Sequence, residues 1–238
     1  MVQQLQPETT AGVIYPDSDG QPMADNTKQF RWIVTIKENL EILFATRDDV
    51  FVAGDLLWYP VQGDNKIRQA PDAMVVFGRG KGDRGSYRQW EENNIPVQVV
   101  FEILSPGNTL KEMAKKLQFY QRYGVEEYYV YDPDRIDFNG WLRVGNTLEV
   151  IEDIQGWISP RLGIRFDLNP TTLEIYYPDG RKFLTSVELS QKLEQESQRA
   201  EQERQQKESA LTELEAERQR YQDLLQKLQQ QGINPEEL

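Results

Sequence analysis

The sequence predicts an α/β domain with a mixed sheet flanked by helices, followed by a helical tail. Three observations carry this. Helical and strand-like patterns alternate from residue 26 to about Tyr177. One run, Val97–Leu104 (VQVVFEIL), is nearly all apolar, as suits a strand buried on both faces of a central sheet. Aromatic residues stop at Phe183, apart from Tyr221, and no glycine or proline interrupts 187–231. The domains so read are an arm at 1–25, an α/β domain at 26–186, a tail at 187–231 and a short terminus at 232–238.

Residues 1–25 are polar and rich in Asp, Gln, Pro and Gly, which predicts a loosely ordered arm. A helix starts at Asp25 or Asn26, either of which can cap it. Its apolar positions are Phe30, Ile33, Val34, Ile36, Leu40, Leu43 and Phe44. Val50–Val61 reads as one long strand, and AMVVF at 73–77 as a second. A Gly- and charge-rich loop fills 78–94. Val97–Leu104 is the third strand, closed by a turn at Ser105–Asn108. The following helix, TLKEMAKKLQFYQRYG, opens on a Thr109/Glu112 capping box and ends where Gly124 supplies a C′ glycine. Glu126–Asp132 is a fourth strand. At least two more follow, with turns expected at Asp137–Gly140, Gly145–Asn146 and Asp179–Gly180. In the tail, Leu211, Leu214, Tyr221, Leu225 and Leu228 fit a heptad seam interrupted by Arg218. The alternative is a single solvated helix supported by Glu203–Lys207 and Arg204–Glu208 pairs.

The residues that are missing exclude much chemistry. With no cysteine and no histidine, disulfides, thiolate nucleophiles, His-ligated metals and Ser-His-Asp triads are impossible. A metal would need oxygen ligands, which points to Mg²⁺, Mn²⁺ or Ca²⁺. The start of the chain lacks a basic, apolar leader and no stretch approaches a membrane span, so a soluble cytoplasmic protein is expected. The net charge of −12 is unfavourable for binding DNA phosphates. Six basic residues nevertheless lie between Lys66 and Arg88, against Asp72 and Asp83. They form either a phosphate-facing loop or a solvated surface.

Three residues stand out. Glu102 lies inside the apolar third strand, where an unpaired carboxylate is costly to desolvate. It is either half of a buried ion pair or a metal ligand. Asp72 follows Pro71 at a strand start, where it either shapes a turn or joins Glu102 in holding a divalent cation. On the next helix, Met113, Leu117 and Tyr120 share an apolar stripe at roughly 280–340° from Leu110. Lys116 falls near roughly 240°, at the stripe's edge, and Lys115 near roughly 140°, toward solvent. Lys116 can therefore reach Glu102, or simply snorkel beside the core. Asp55 is either another acid at the site or a cap beside Gly54. Glu112 is read as a capping residue and Ser105 as a turn residue.

The run PDAMVVF…VVFEILSPGNT…KKLQFYQRYGVEEYYVYDP resembles the Uma-type endonuclease family over roughly residues 26–180. This family is a branch of the PD-(D/E)XK restriction-endonuclease superfamily. The resemblance implies a restriction-endonuclease-like fold and a Mg²⁺- or Mn²⁺-dependent DNA endonuclease. It makes Asp72, Glu102 and the carbonyl of Ile103 the metal ligands, and Lys116 the lysine that positions water. The superfamily's usual lysine position, two residues after the glutamate, holds Leu104 here; Lys116 matches the family's helix-borne lysine. Many members carry a histidine in the first helix, which this chain lacks. Two other readings are a catalytically inactive DNA- or protein-binding module and a purely structural protein organised by its tail. A homo-oligomer, with a dimer favoured, follows from the heptad seam.

Overall fold

The computed structural model describes residues 13–18, 20 and 23–230, in two compact units divided between Thr185 and Ser186. In the first unit, α1 (Thr27–Leu43) starts at Asn26, whose side-chain oxygen accepts the backbone N–H groups of Lys28 and Gln29. Such a cap is worth about 1 kcal/mol. The buried positions of α1 are Gln29, Ile33, Ile36, Asn39 and Leu40. Phe30, expected inside, is about half exposed, because the stripe runs through Gln29 instead.

The sequence-predicted strand at 50–61 is broken in two: β1 (Val50–Ala53) joins the main sheet and β2 (Trp58–Tyr59) does not. The break has a local cause. Asp55 adopts φ +49° and donates its N–H to the Pro71 carbonyl. That left-handed geometry, tolerated by Asp, turns the chain out of the sheet. β2 then pairs in parallel with β4 (Tyr87–Arg88). Residues of the arm lie against this small sheet: Tyr59 donates its hydroxyl to the Pro16 carbonyl, and the Tyr15 and Trp90 rings are 4.8 Å apart.

The main sheet contains β1, β3 (Ala73–Phe77), β5 (Val99–Ile103), β6 (Glu127–Asp132), β7 (Asp137–Val144) and β8 (Thr147–Val150), in that order. β5 and β6 are parallel and every other pair is antiparallel. A parallel pair needs a crossover; α2 (Leu110–Arg122) supplies it. Its Thr109 cap forms, but the Glu112 carboxylate accepts from the Asn108 side chain instead of completing the box. Gly124, at φ +94°, ends the helix region as expected.

Asp137–Gly140, expected as a turn, lies within β7; the turn falls earlier, where Ile136 has φ +55°. Gly140 is required by packing: a Cβ there would come within 2.9 Å of Ile151 and Ile154. A second sheet, β9 (Trp157–Ile158), β10 (Arg165–Leu168) and β11 (Leu173–Tyr176), joins α1 over one face of the main sheet. On that face Val99, Phe101 and Ile103 meet Ile33, Ile36 and Phe166. On the opposite face Val100 and Met74 meet Tyr120 of α2. The domain is thus the mixed sheet flanked by helices that the sequence predicts.

The second unit contains one helix, α3 (Ser186–Gln230), 45 residues long. At 1.5 Å per residue it extends for about 70 Å. Leu211, Leu214 and Tyr221 of the heptad seam are exposed along it. Arg204 pairs with Glu201, and neither of the two expected i,i+4 pairs forms among the described residues.

Candidate active site

The register of the two central antiparallel strands creates the site. Ala73 pairs with Phe101, so one residue further along Asp72 falls opposite Glu102, on the same face. Both are buried, at 9% and 2% exposure. Asp72 Oδ2 accepts the Ile103 N–H at 2.6 Å. Glu102 Oε2 is 2.8 Å from Lys116 Nζ, and its Oε1 accepts the Tyr120 hydroxyl. Lys116 and Tyr120 are four residues apart on α2, so both overhang the end of β5 from one face of the helix. Lys115 is exposed, as the helical geometry predicts.

Two acids facing one another in a low-dielectric environment repel. Burial pushes the Asp72 carboxyl well above its ordinary range, and the Glu102 charge pushes it further. Burial alone would depress Lys116, but Glu102 and Asp72 outweigh it and hold the ammonium above its ordinary value. The Tyr120 hydroxyl is raised by burial first and by Glu102 second.

A cavity of about 270 Å³ opens beside this group, lined among others by Asp25, Gln29, Asp55, Asp72, Glu112 and Lys116. The walls carry four carboxylates and one ammonium, so the cavity suits a cation better than a bare phosphate. Its rim is cross-braced. Gln29 Nε2 donates to the Ile103 carbonyl at 2.8 Å, while its Oε1 accepts the Asp25 N–H at 2.8 Å. Ser105 donates its hydroxyl to Asp25 Oδ2 at 2.5 Å and its N–H to Asn108.

The oxygen donors suit a hard divalent cation in kind, with two facing carboxylates and the Ile103 carbonyl at one strand end. Among the described residues no group of three or more acidic side chains is arranged to hold a metal. A cation would therefore use Asp72, the Glu102 oxygen now paired with Lys116 and a carbonyl, and would take the place of Lys116 and Gln29 at those atoms.

The basic loop does not face this cavity. Arg79 and Arg84 converge on Glu92 at 2.6 and 2.7 Å, Arg84 lies over the Phe51 ring, and Lys81 donates to the Ala45 carbonyl. Arg88 sits beside Glu91 and Asp17.

Three participants were not singled out from sequence. Tyr120 reads as an apolar-stripe residue, and nothing local marks its hydroxyl as reaching Glu102. Asp25 reads as a helix cap. Gln29 did leave a signal, since it is in phase with Ile33, Ile36 and Leu40, a polar residue on the apolar stripe.

A mixed sheet with helices on both faces and an Asp–Glu–Lys group at the end of its central strands is an architecture of the restriction-endonuclease-like class. Residues 4–217 match the profile of the Uma2 family, described as "Putative restriction endonuclease", and the chain belongs to that family. It is also similar to the crystal structure of a "putative nuclease belonging to DUF820" from Anabaena variabilis ATCC 29413, at 17% identity. That similarity covers 60% of this chain and 78% of the other, with a TM-score of 0.43. No curated protein matches the chain. No helix among the described residues is long and apolar enough to cross a membrane.

Proposed function

We propose that this member of a nuclease family is a DNA endonuclease dependent on a divalent cation, Mg²⁺ or Mn²⁺. The carrying observation is the convergence of Asp72, Glu102 and Lys116 beside one acidic cavity. Asp72, Glu102 and the Ile103 carbonyl would hold the cation. When bound, it supplies charge neutralisation at the scissile phosphate and a lowered pKa for water. Lys116, released from Glu102, orients the attacking water and stabilises the charge that develops on the phosphoryl oxygens. The water oxygen bonds to phosphorus, the P–O bond to the leaving sugar breaks, the water's proton passes to solvent, and the sugar oxygen takes a proton from solvent. Without the cation, Gln29 braces the end of β5, donating to the Ile103 carbonyl and accepting the Asp25 N–H.

Plasmid nicking with Mg²⁺ or Mn²⁺ tests this, with wild type, Glu102→Ala and Lys116→Ala purified identically. Cleavage should require the cation and vanish in both variants. Absence of cleavage by wild type, or equal cleavage by all three, would overturn the assignment.

The second reading is an inactive nuclease-fold module for binding DNA or protein, assembled through α3. It is favoured by the engagement of both Glu102 oxygens and by the internal pairing of Arg79 and Arg84. Under either reading the α3 seam would pair copies as a dimeric coiled coil, and removing residues after 186 should reduce the sedimenting mass to that of a monomer.

A further inference from the structure

We propose that Tyr120 is a positioning residue that keeps one oxygen of Glu102 turned to the cation while Lys116 is displaced; this rests on the cation-dependent reading above. A carboxylate rotates easily about its last bond, with broad rather than sharp rotamer wells. Here α2 holds both oxygens. Lys116, which lines the cavity, takes Oε2, and Tyr120, wholly buried, takes Oε1 from the core side. The two oxygens of Glu102 therefore have different duties. Oε2 is exchangeable, since its partner has a way out into the cavity. Oε1 is anchored, since the Tyr120 ring is packed against Tyr128 and Phe119 at 5.0 and 5.8 Å between centroids. Once Lys116 leaves, the Tyr120 hydroxyl is the side-chain donor that remains on Glu102 among the described residues, and it sets the carboxylate plane. Hydrogen bonds behind a metal-ligating carboxylate typically change cation affinity by about ten- to a hundredfold.

The core beside Tyr120 contains a built-in control. Tyr128, on the neighbouring strand, has a buried hydroxyl with no hydrogen-bond partner among the described residues. Its replacement by Phe removes the same kind of atom without removing a hydrogen bond to Glu102.

The experiment is a titration of the full chain with Mn²⁺ alone, read by the paramagnetic resonance of free Mn²⁺, beside thermal melting and the Mn²⁺ dependence of plasmid nicking. Tyr120→Phe should raise the half-saturating Mn²⁺ by about tenfold or more in both binding and nicking. The nicking rate at saturating Mn²⁺ should fall less. Tyr128→Phe and a 3-fluorotyrosine at position 120, which keeps the hydroxyl, should bind as wild type does. Half-saturation unchanged in Tyr120→Phe, or weakened equally by 3-fluorotyrosine, overturns the inference. A melting point that falls in Tyr120→Phe while half-saturation stays put assigns the hydroxyl to stability alone and also overturns it. Failure of wild type to bind Mn²⁺, or binding unaffected by Asp72→Asn, overturns the cation reading itself and this inference with it.

Discussion

Replacing Lys116 by Met should move stability and cation affinity in opposite directions. Methionine keeps most of the apolar stem that packs beside α2 and removes the ammonium. What remains is Glu102, 2% exposed, opposite Asp72, with no other ion-pair partner for either among the described residues. Breaking a buried ion pair by deleting one partner typically costs about 3–5 kcal/mol. Here Lys116 is 13% exposed and Tyr120 still donates to Glu102, which puts the loss at about 3 kcal/mol. A divalent cation replaces the lost charge without first displacing a lysine. At about a hundred times its Kd for the variant, the cation would stabilise the variant by about 2.7 kcal/mol, and wild type, which must first release Lys116, by less. Urea unfolding followed by tryptophan fluorescence reads this cleanly, because all five tryptophans precede residue 186 and the signal ignores α3. In EDTA, Lys116→Met should be about 3 kcal/mol less stable than wild type; in Mn²⁺, which the variant binds more tightly, the difference should narrow. It should still not nick DNA. A variant as stable as wild type in EDTA, or one that Mn²⁺ does not rescue, would refute the electrostatic account of the site.

Two further outcomes follow from other contacts. Gln29→Ala removes the brace between Asp25 and the Ile103 carbonyl and leaves buried polar groups unpaired, so urea unfolding should show a loss of about 1–3 kcal/mol. Glu92, held below its ordinary value first by its bond from Arg84 and then by Arg79, stabilises the loop above its unfolded pKa, and that stabilisation disappears as pH falls through its folded value. Glu92→Gln should therefore cost about 2 kcal/mol at pH 7 and little in strong acid; a pH-independent difference in unfolding free energy would reject this linkage.

What could be read in the linear chain was whatever a short stretch decides for itself. The apolar run around Val100 makes a buried strand wherever it is placed, and Thr109 and Gly124 bracket α2 by their own backbone preferences. Helical geometry alone separates Lys116 from Lys115. Composition alone excludes histidine and cysteine chemistry and restricts metal ligands to oxygen.

Tertiary structure decided what depends on distance across strands. The antiparallel register sets Asp72 against Glu102, and a shift by one residue would turn either acid to the other face. The break at Asp55 depends on the Pro71 carbonyl waiting on β3's approach, and Gly140 makes room for Ile151 and Ile154, which no local turn rule reveals. The hydroxyl of Tyr120 and the amide of Gln29 became site groups only because two helices, from opposite faces of one sheet, deliver polar ends to the same strand terminus. Periodicity marks which face of a helix is buried; it does not say which buried atom will meet a charge, because that is fixed by packing between segments far apart in the chain.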